Sequence, residues 1–213
     1  MTDGAAGPAP DCALCPRLAA FRAANRRAYP DFHNAPVASF GGSGARLLIV
    51  GLAPGLKGAN RTGRPFTGDY AGDLLYPMLI RFGFARGDYG RAADDGLVLV
   101  DCRITNAVRC VPPGNKPVGA EMGACRRFLA AEMAAMPNLA AVLALGTVAH
   151  GSVLSALGCR KARYPFAHGA VHELPGGRLL ADSYHCSRYN TNTGRLTETM
   201  FADVFAALRR RLG

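Results

Sequence analysis

The 213-residue sequence has no apolar run long enough to cross a bilayer, which takes about 20 residues, so no membrane partner is expected. It also lacks the opening of a secreted chain. Met1 to Pro10 carries neither a basic stretch nor an apolar one, which points to the cytoplasm, at the nucleoid if the cell is prokaryotic. Acidic residues are scarce, 15 against 25 Lys and Arg, and the formal net charge is +10. That imbalance favours a polyanionic partner, of which nucleic acid is the commonest. Charged residues make up only 19% and apolar ones 49%, which excludes a disordered chain. No repeat and no linker interrupts the pattern. Residues 1–11 read as a flexible tail and residues 12–213 as a single domain with enough chain for a full core.

Four apolar runs have strand character: Arg46–Leu52, Leu97–Asp101, Ala140–Leu145 and Arg178–Ser183. Helical periodicity falls at Cys12–Tyr29, Ala71–Phe82, Gly119–Met136, Thr147–Leu157 and Leu196–Leu212. Strands alternating with helices predict parallel strands joined by right-handed crossovers. The fold class is therefore α/β, a three-layer α/β/α sandwich around a mainly parallel four-stranded sheet. Glu173 and the turn Pro175-Gly-Gly177 add a small hairpin before the last strand.

The first strand runs into Gly51-Leu-Ala-Pro-Gly-Leu-Lys-Gly-Ala-Asn-Arg-Thr-Gly-Arg-Pro-Phe-Thr-Gly-Asp69. No Gly-Lys-Ser/Thr follows, and Gly63-Arg64-Pro65 breaks any dinucleotide fingerprint, so neither common phosphate loop is present. A glycine-rich turn between a strand and a helix still builds a site at the carboxyl edge of a parallel sheet. Lys57, Arg61 and Arg64 bring positive charge to it, and Phe66 and Asp69 bring a flat apolar face and a carboxylate. The last strand opens onto Tyr184-His-Cys-Ser-Arg-Tyr-Asn-Thr-Asn-Thr-Gly-Arg195, which sets His185 at the same edge. Ser187, Arg188, Asn190, Thr191, Asn192 and Arg195 are donors suited to phosphate oxygens, and Tyr189 suits a wedge between bases. The bland reading of this stretch is a surface loop before a helix capped by Thr191 or Thr193. Between the two segments, Asn106 carries both donor and acceptor and suits a base edge, although a turn Asn satisfied by local backbone is the commoner case. His33, His150 and His168 are read as structural.

The seven cysteines, in a chain without a secretory start, argue for a metal site rather than disulfides. Cys12 and Cys15 form a C-x2-C pair, and Cys110 and Cys125 form a second, wider set. Four thiolates suit zinc or an iron–sulfur cluster, and spacing does not separate the two. Cys102 is read as a small buried hydrophobe.

These segments together resemble the uracil-DNA glycosylase superfamily, in particular its iron–sulfur branch, family 5 or B-type. The carrying residues are Gly51-Leu-Ala-Pro54, Gly58 to Asp69, Thr105-Asn106 with Cys110, Ser183 to Arg195, and the four-cysteine spacing. One departure is Cys186, where the last motif usually has Pro. The resemblance implies an enzyme that cuts the N-glycosidic bond of uracil, and of other deaminated bases, in DNA. It implies that Asp69 and His185 are catalytic, one acting on water and the cationic sugar, the other on the departing base. Leu52 and Ala53 would give backbone contacts, Phe66 would stack on the base and Asn106 would read its edge. Lys57, Arg61, Ser187, Arg188, Tyr189 and Arg195 would hold the DNA. Cys12, Cys15, Cys110 and Cys125 would hold a structural [4Fe–4S] cluster in a monomer. A non-catalytic damaged-DNA binder of the same fold and an iron–sulfur electron carrier are the rivals. The carrier has no use for the Gly51–Asp69 loop.

Overall fold

The computed structural model describes residues 7–213. The expected tail, residues 1–11, thus falls partly outside the described residues. Of its described part, Asp11 pairs with Arg26 at 2.7 Å. The elements run in the order α1 (Pro16–Ala28), β1 (Leu47–Gly51), α2 (Ala59–Thr62), α3 (Tyr70–Arg81), β2 (Ala85–Arg86), β3 (Val98–Leu99) and β4 (Cys102–Asn106). There follow α4 (Gly119–Ala134), β5 (Ala141–Leu145), α5 (Thr147–Ala156), β6 (Val171–Glu173), β7 (Leu179–Ser183), α6 (Arg188–Asn192) and α7 (Glu198–Leu212).

The main sheet has five strands rather than four, in the order β4-β1-β5-β7-β6. Its four inner pairings are parallel except β6–β7, the antiparallel hairpin expected around Pro175-Gly-Gly177. The alternation of apolar side chains explains the layers. Along β1, Leu47 and Ile49 join a core with α3 and α7, whereas Leu48 and Val50 join a second core with α4 and α5. Both faces of the strand are buried, as parallel sheets covered by helices require.

One strand lies elsewhere than the apolar pattern predicts. Leu97–Asp101 is not a strand of the main sheet. Val98 and Leu99 pair instead with Ala85 and Arg86 in a separate two-stranded ribbon. The chain turns at Asp101, which takes a left-handed φ of 51° and accepts from Arg46 N and Nε at 2.7 and 2.6 Å. The sheet strand follows, over Cys102–Asn106, so Cys102 begins a strand rather than ending one. Its pattern misleads because Arg103 is buried there, paired with Glu132 at 2.7 Å. β4 is an edge strand, and Phe40 covers its outer side by exchanging both backbone hydrogen bonds with Ile104.

Helix α1 begins at Pro16, not Cys12. Proline is favoured in a first turn, where its missing N–H costs nothing, and Cys15 takes the extended cap position. Cys12 and Cys15 therefore lie on the approach to the helix. Cys125 sits in the middle of α4. The cap of α6 is Ser187, which accepts from Asn190 N, and neither Thr191 nor Thr193 takes that place. Both threonines donate back to carbonyls one turn earlier.

Candidate active site

Strand β1 lies where the chain order of the sheet reverses, with β4 on one side and β5 on the other. Ligands bind at such switch points, beyond the carboxyl ends of the strands. Here the ends of β1, β5 and β7 open onto a cleft of about 630 Å³. Leu52, Ala53, Asp69, His185, Ser187, Arg188 and Arg195 all line it. At its base a small recess of about 40 Å³ is walled by Ala53, Phe66, Asp69, Asn106 and His185. The three segments that carry the sequence signals thus meet at one point.

Close packing makes the recess. A Cβ on Gly51 would collide with both Asn106 Oδ1 and the Phe66 ring, so only glycine lets these two groups close over the end of β1. A Cβ on Gly58 would collide with the Asp69 carboxylate in the same way. Phe66 takes a left-handed φ of 53°, and its ring lies 6.0 Å from that of His185 at 28°. The strained turn is over-determined from behind. The carbonyl of Phe66 accepts from Tyr89 Oη at 3.2 Å, and Tyr76 Oη donates to Pro65 O at 2.6 Å.

Arg64 does not bring its charge to the surface of the loop. It is buried, donates through Nη1 and Nη2 to both oxygens of Asp95 at 2.7 Å, and lies 5.1 Å from the rings of Phe40 and Tyr76. It staples the loop from below. Its hydrogen bonds hold the Asp95 carboxyl down at about 2.

Asp69 has no such partner. It occupies the cap position of α3, and its Oδ1 is buried without a hydrogen bond. Burial raises its carboxyl above the ordinary carboxylate value, and the backbone N–H groups of Gly72 and Ala71 oppose that rise. Burial also pushes His185 down to about 4, so its ring is neutral at neutral pH and carries one N–H. Asn190 Nδ2 donates to the His185 carbonyl at 2.8 Å and fixes the loop. Cys186 is fully buried beside this pair, and burial, with the Asp69 charge second, keeps it a thiol.

The proposed DNA contacts divide. Arg188 lies over the Tyr70 ring at 5.5 Å and Arg195 over the Tyr184 ring at 4.6 Å, both on the cleft wall. Lys57 and Arg61 are exposed but outside the cleft lining, and so is Tyr189, at 73% exposure. Tyr70, Phe166, Asn115 and the turn at Gly146, with Thr147 and Val148 that open α5, line the cleft without having been singled out in the sequence. The turn had a signal, a glycine directly after an apolar strand at the same sheet edge. Phe166 and Asn115 had none, since Phe166 arrives on an irregular loop and Asn115 on a single 3-10 turn over Pro113–Asn115.

Cys12, Cys15, Cys110 and Cys125 line one hollow, closed by Leu18, Val108 and Phe128. Among the described residues, no three of these sulfurs lie within 4.8 Å of one another. Arg22 reaches the Cys110 sulfur at 3.6 Å, and Arg17 pairs with Glu121 on α4 at 2.7 Å, so α1 is held to this segment by polar contacts as well.

The profile of the uracil DNA glycosylase superfamily matches residues 38–209, and the chain belongs to that superfamily. Its relatives place it in the type-5 branch. It is 46% identical to the type-5 uracil-DNA glycosylase of Thermus thermophilus over 95% of this chain and 94% of that one. It is 42% identical to the type-5 enzyme of Mycobacterium leprae over the whole of both. The type-4 uracil-DNA glycosylase of Pyrobaculum aerophilum is more distant, at 31% over 65% of each. No helix among the described residues is long and apolar enough to cross a membrane.

Proposed function

We propose that the protein is a DNA-repair glycosylase that hydrolyses the N-glycosidic bond of uracil, and of other deaminated bases, to leave an abasic site. The observation that carries this reading is a carboxyl group with an unpartnered oxygen and an imidazole facing one recess with an aromatic face and an amide. A base inside a duplex is out of reach, so it is extruded into the cleft. Phe66 stacks on it and Asn106 pairs with its polar edge, while Leu52 and Ala53 contact it through backbone. The bond from sugar C1′ to the base nitrogen breaks and its electron pair leaves with the base. The His185 N–H donates to the base oxygen that gains negative charge, an interaction worth about 3 kcal/mol when it forms only in the transition state. The Asp69 carboxylate balances the cationic sugar. It then takes the proton of the water that adds to C1′. Water is the sole nucleophile in this reading, which makes the enzyme monofunctional. Ser187, Arg188 and Arg195 hold phosphates along the cleft. Lys57, Arg61 and Tyr189 extend that surface beyond it, with Tyr189 filling the gap in the stack.

In the same reading Cys12, Cys15, Cys110 and Cys125 hold a [4Fe–4S] cluster. Four thiols lining one hollow suit several irons, as does type-5 membership. The cluster when bound cross-links α1 to α4, and the chemistry of base release is left to the residues above.

A labelled uracil-containing oligonucleotide, incubated with the protein and then treated with alkali, tests the activity. Strand scission is expected. Gel retardation of the DNA without scission would make the chain a damage-binding protein instead.

A further inference from the structure

A second polar cluster lies behind the cleft wall, on residues the glycosylase reading does not use. His150 of α5, His172 of β6 and Asp182 of β7 bring three ligand atoms within 4.8 Å of one another. His150 Nδ1 lies 2.7 Å from Asp182 Oδ1, and His172 Nε2 lies 3.5 Å from Asp182 Oδ2. Asp182 is 0% exposed, yet its Oδ2 and His172 Nε2 have no hydrogen-bond partner. The backbone N–H of Ala167 also faces the carboxylate.

The proton positions are constrained from outside. His150 Nε2 lies 2.8 Å from the carbonyl of Tyr164, which can only accept, so that nitrogen carries a proton. In a neutral ring the Nδ1 lone pair then points at a carboxyl oxygen, acceptor against acceptor, unless a proton on either atom or a bound cation lies there. A proton there, on the ring or on the carboxyl, resolves that contact but leaves Asp182 Oδ2 and His172 Nε2 without a partner, which is unfavourable for buried polar atoms. A divalent ion resolves all three at once. A metal-bound histidine whose other ring N–H donates to a backbone carbonyl is the usual outer-shell arrangement, and it is the one present at His150. Two imidazoles and a carboxylate select ions of the zinc and cobalt type over magnesium or calcium.

We infer that His150, His172 and Asp182 form a binding site for one divalent transition-metal ion, distinct from the four-cysteine hollow, that clamps α5 to the β6–β7 hairpin. Water completes its coordination through the partly exposed side at His172. None of the three residues lines the cleft, so the ion is a brace and not a catalyst. It holds Phe166, whose ring meets His150 edge-on at 5.6 Å and which lines the cleft, and it fixes the strand that delivers His185 three residues later.

The test uses full-length protein purified with its cysteine site filled, stripped with EDTA and titrated with Co²⁺. One equivalent is expected to bind, with weak visible ligand-field bands and without the intense ultraviolet absorption of thiolate-to-cobalt charge transfer. His172→Ala is expected to weaken that uptake at least 10-fold while circular dichroism and iron content stay at wild-type levels. Zinc is expected to raise the melting temperature of wild type and not of this variant. His172→Gln repeats the measurement if the alanine variant does not fold. Absence of cobalt uptake, thiolate charge transfer, or equal uptake by the folded variant would each overturn the site. None of these readouts depends on glycosylase activity.

Discussion

Asp69 and Asp95 are two buried carboxyl groups tied to the same glycine-rich loop, and they are treated in opposite ways. Asp95 receives both arms of Arg64 and two backbone N–H groups, from Gly90 and Leu97. Its carboxyl is held at about 2. Asp69, at the mouth of the recess, has an oxygen with no partner and a carboxyl raised by burial. The first is a clamp and the second a tool. A paired charge stabilises the loop but has no capacity left for a substrate. An unpaired one costs stability and remains available to a water molecule or a cationic sugar.

Neutralising each in turn breaks the comparison. Asp69→Asn is expected to slow single-turnover release of uracil by about 100-fold or more, with DNA affinity unchanged or slightly higher. Parental rates in that variant would move the water-activating role to another residue. Asp95→Asn is expected to do the reverse. It leaves Arg64 buried without its counter-charge, so urea denaturation should show a loss of about 3 kcal/mol, with base release by the folded fraction little altered. The tool variant should show no comparable loss of stability.

Acid separates the pair further. Asp95 stabilises the fold fully above its ordinary value of 3.8, and that contribution disappears as pH falls from there through about 2. Asp69 has the opposite sign, since the fold favours its protonated form and gains stability as pH falls through its raised value. His185 contributes stability that is complete above 6.5 and lost as pH falls from there through about 4. The acid limb of the single-turnover rate that belongs to Asp69 should therefore lie above the ordinary carboxylate value of 3.8, and none that belongs to His185 should lie at 6.5. A limb at the ordinary histidine value would show that His185 is not held neutral. The smallest expected effect is on affinity. Arg188→Ala should reduce the slope of log binding constant against log salt by about one unit, equally for all sequences. An unchanged slope would place Arg188 off the DNA path.

Much of this was legible in the residues because the signals were local. Glycines, an aromatic and a carboxylate in one turn after an apolar strand announce a sheet-edge site, and the His185 segment repeats the form. What was not legible depends on pairing across long stretches of chain. Arg64 looks like a surface charge until Asp95, 31 residues on, is found beneath it. Arg103 disguises a sheet strand because its partner Glu132 lies on a helix 29 residues away. The apolar run at Leu97–Asp101 looked the better strand, and only the reversal at Asp101 assigns it to the ribbon. Phe166 reaches the cleft by tertiary packing alone.

The attachment of α1 has a consequence for the order in which the molecule is made. Its ion pair joins Arg17 to Glu121, 104 positions later, and its buried Leu18 packs on Val108 and Cys125. The helix leaves the ribosome before α4, and its ion pair and its packing on Cys125 wait until α4 has emerged. At about 5–20 residues per second that is a wait of roughly 5–20 s. During it Cys12 and Cys15 travel on a segment whose docking surface is incomplete.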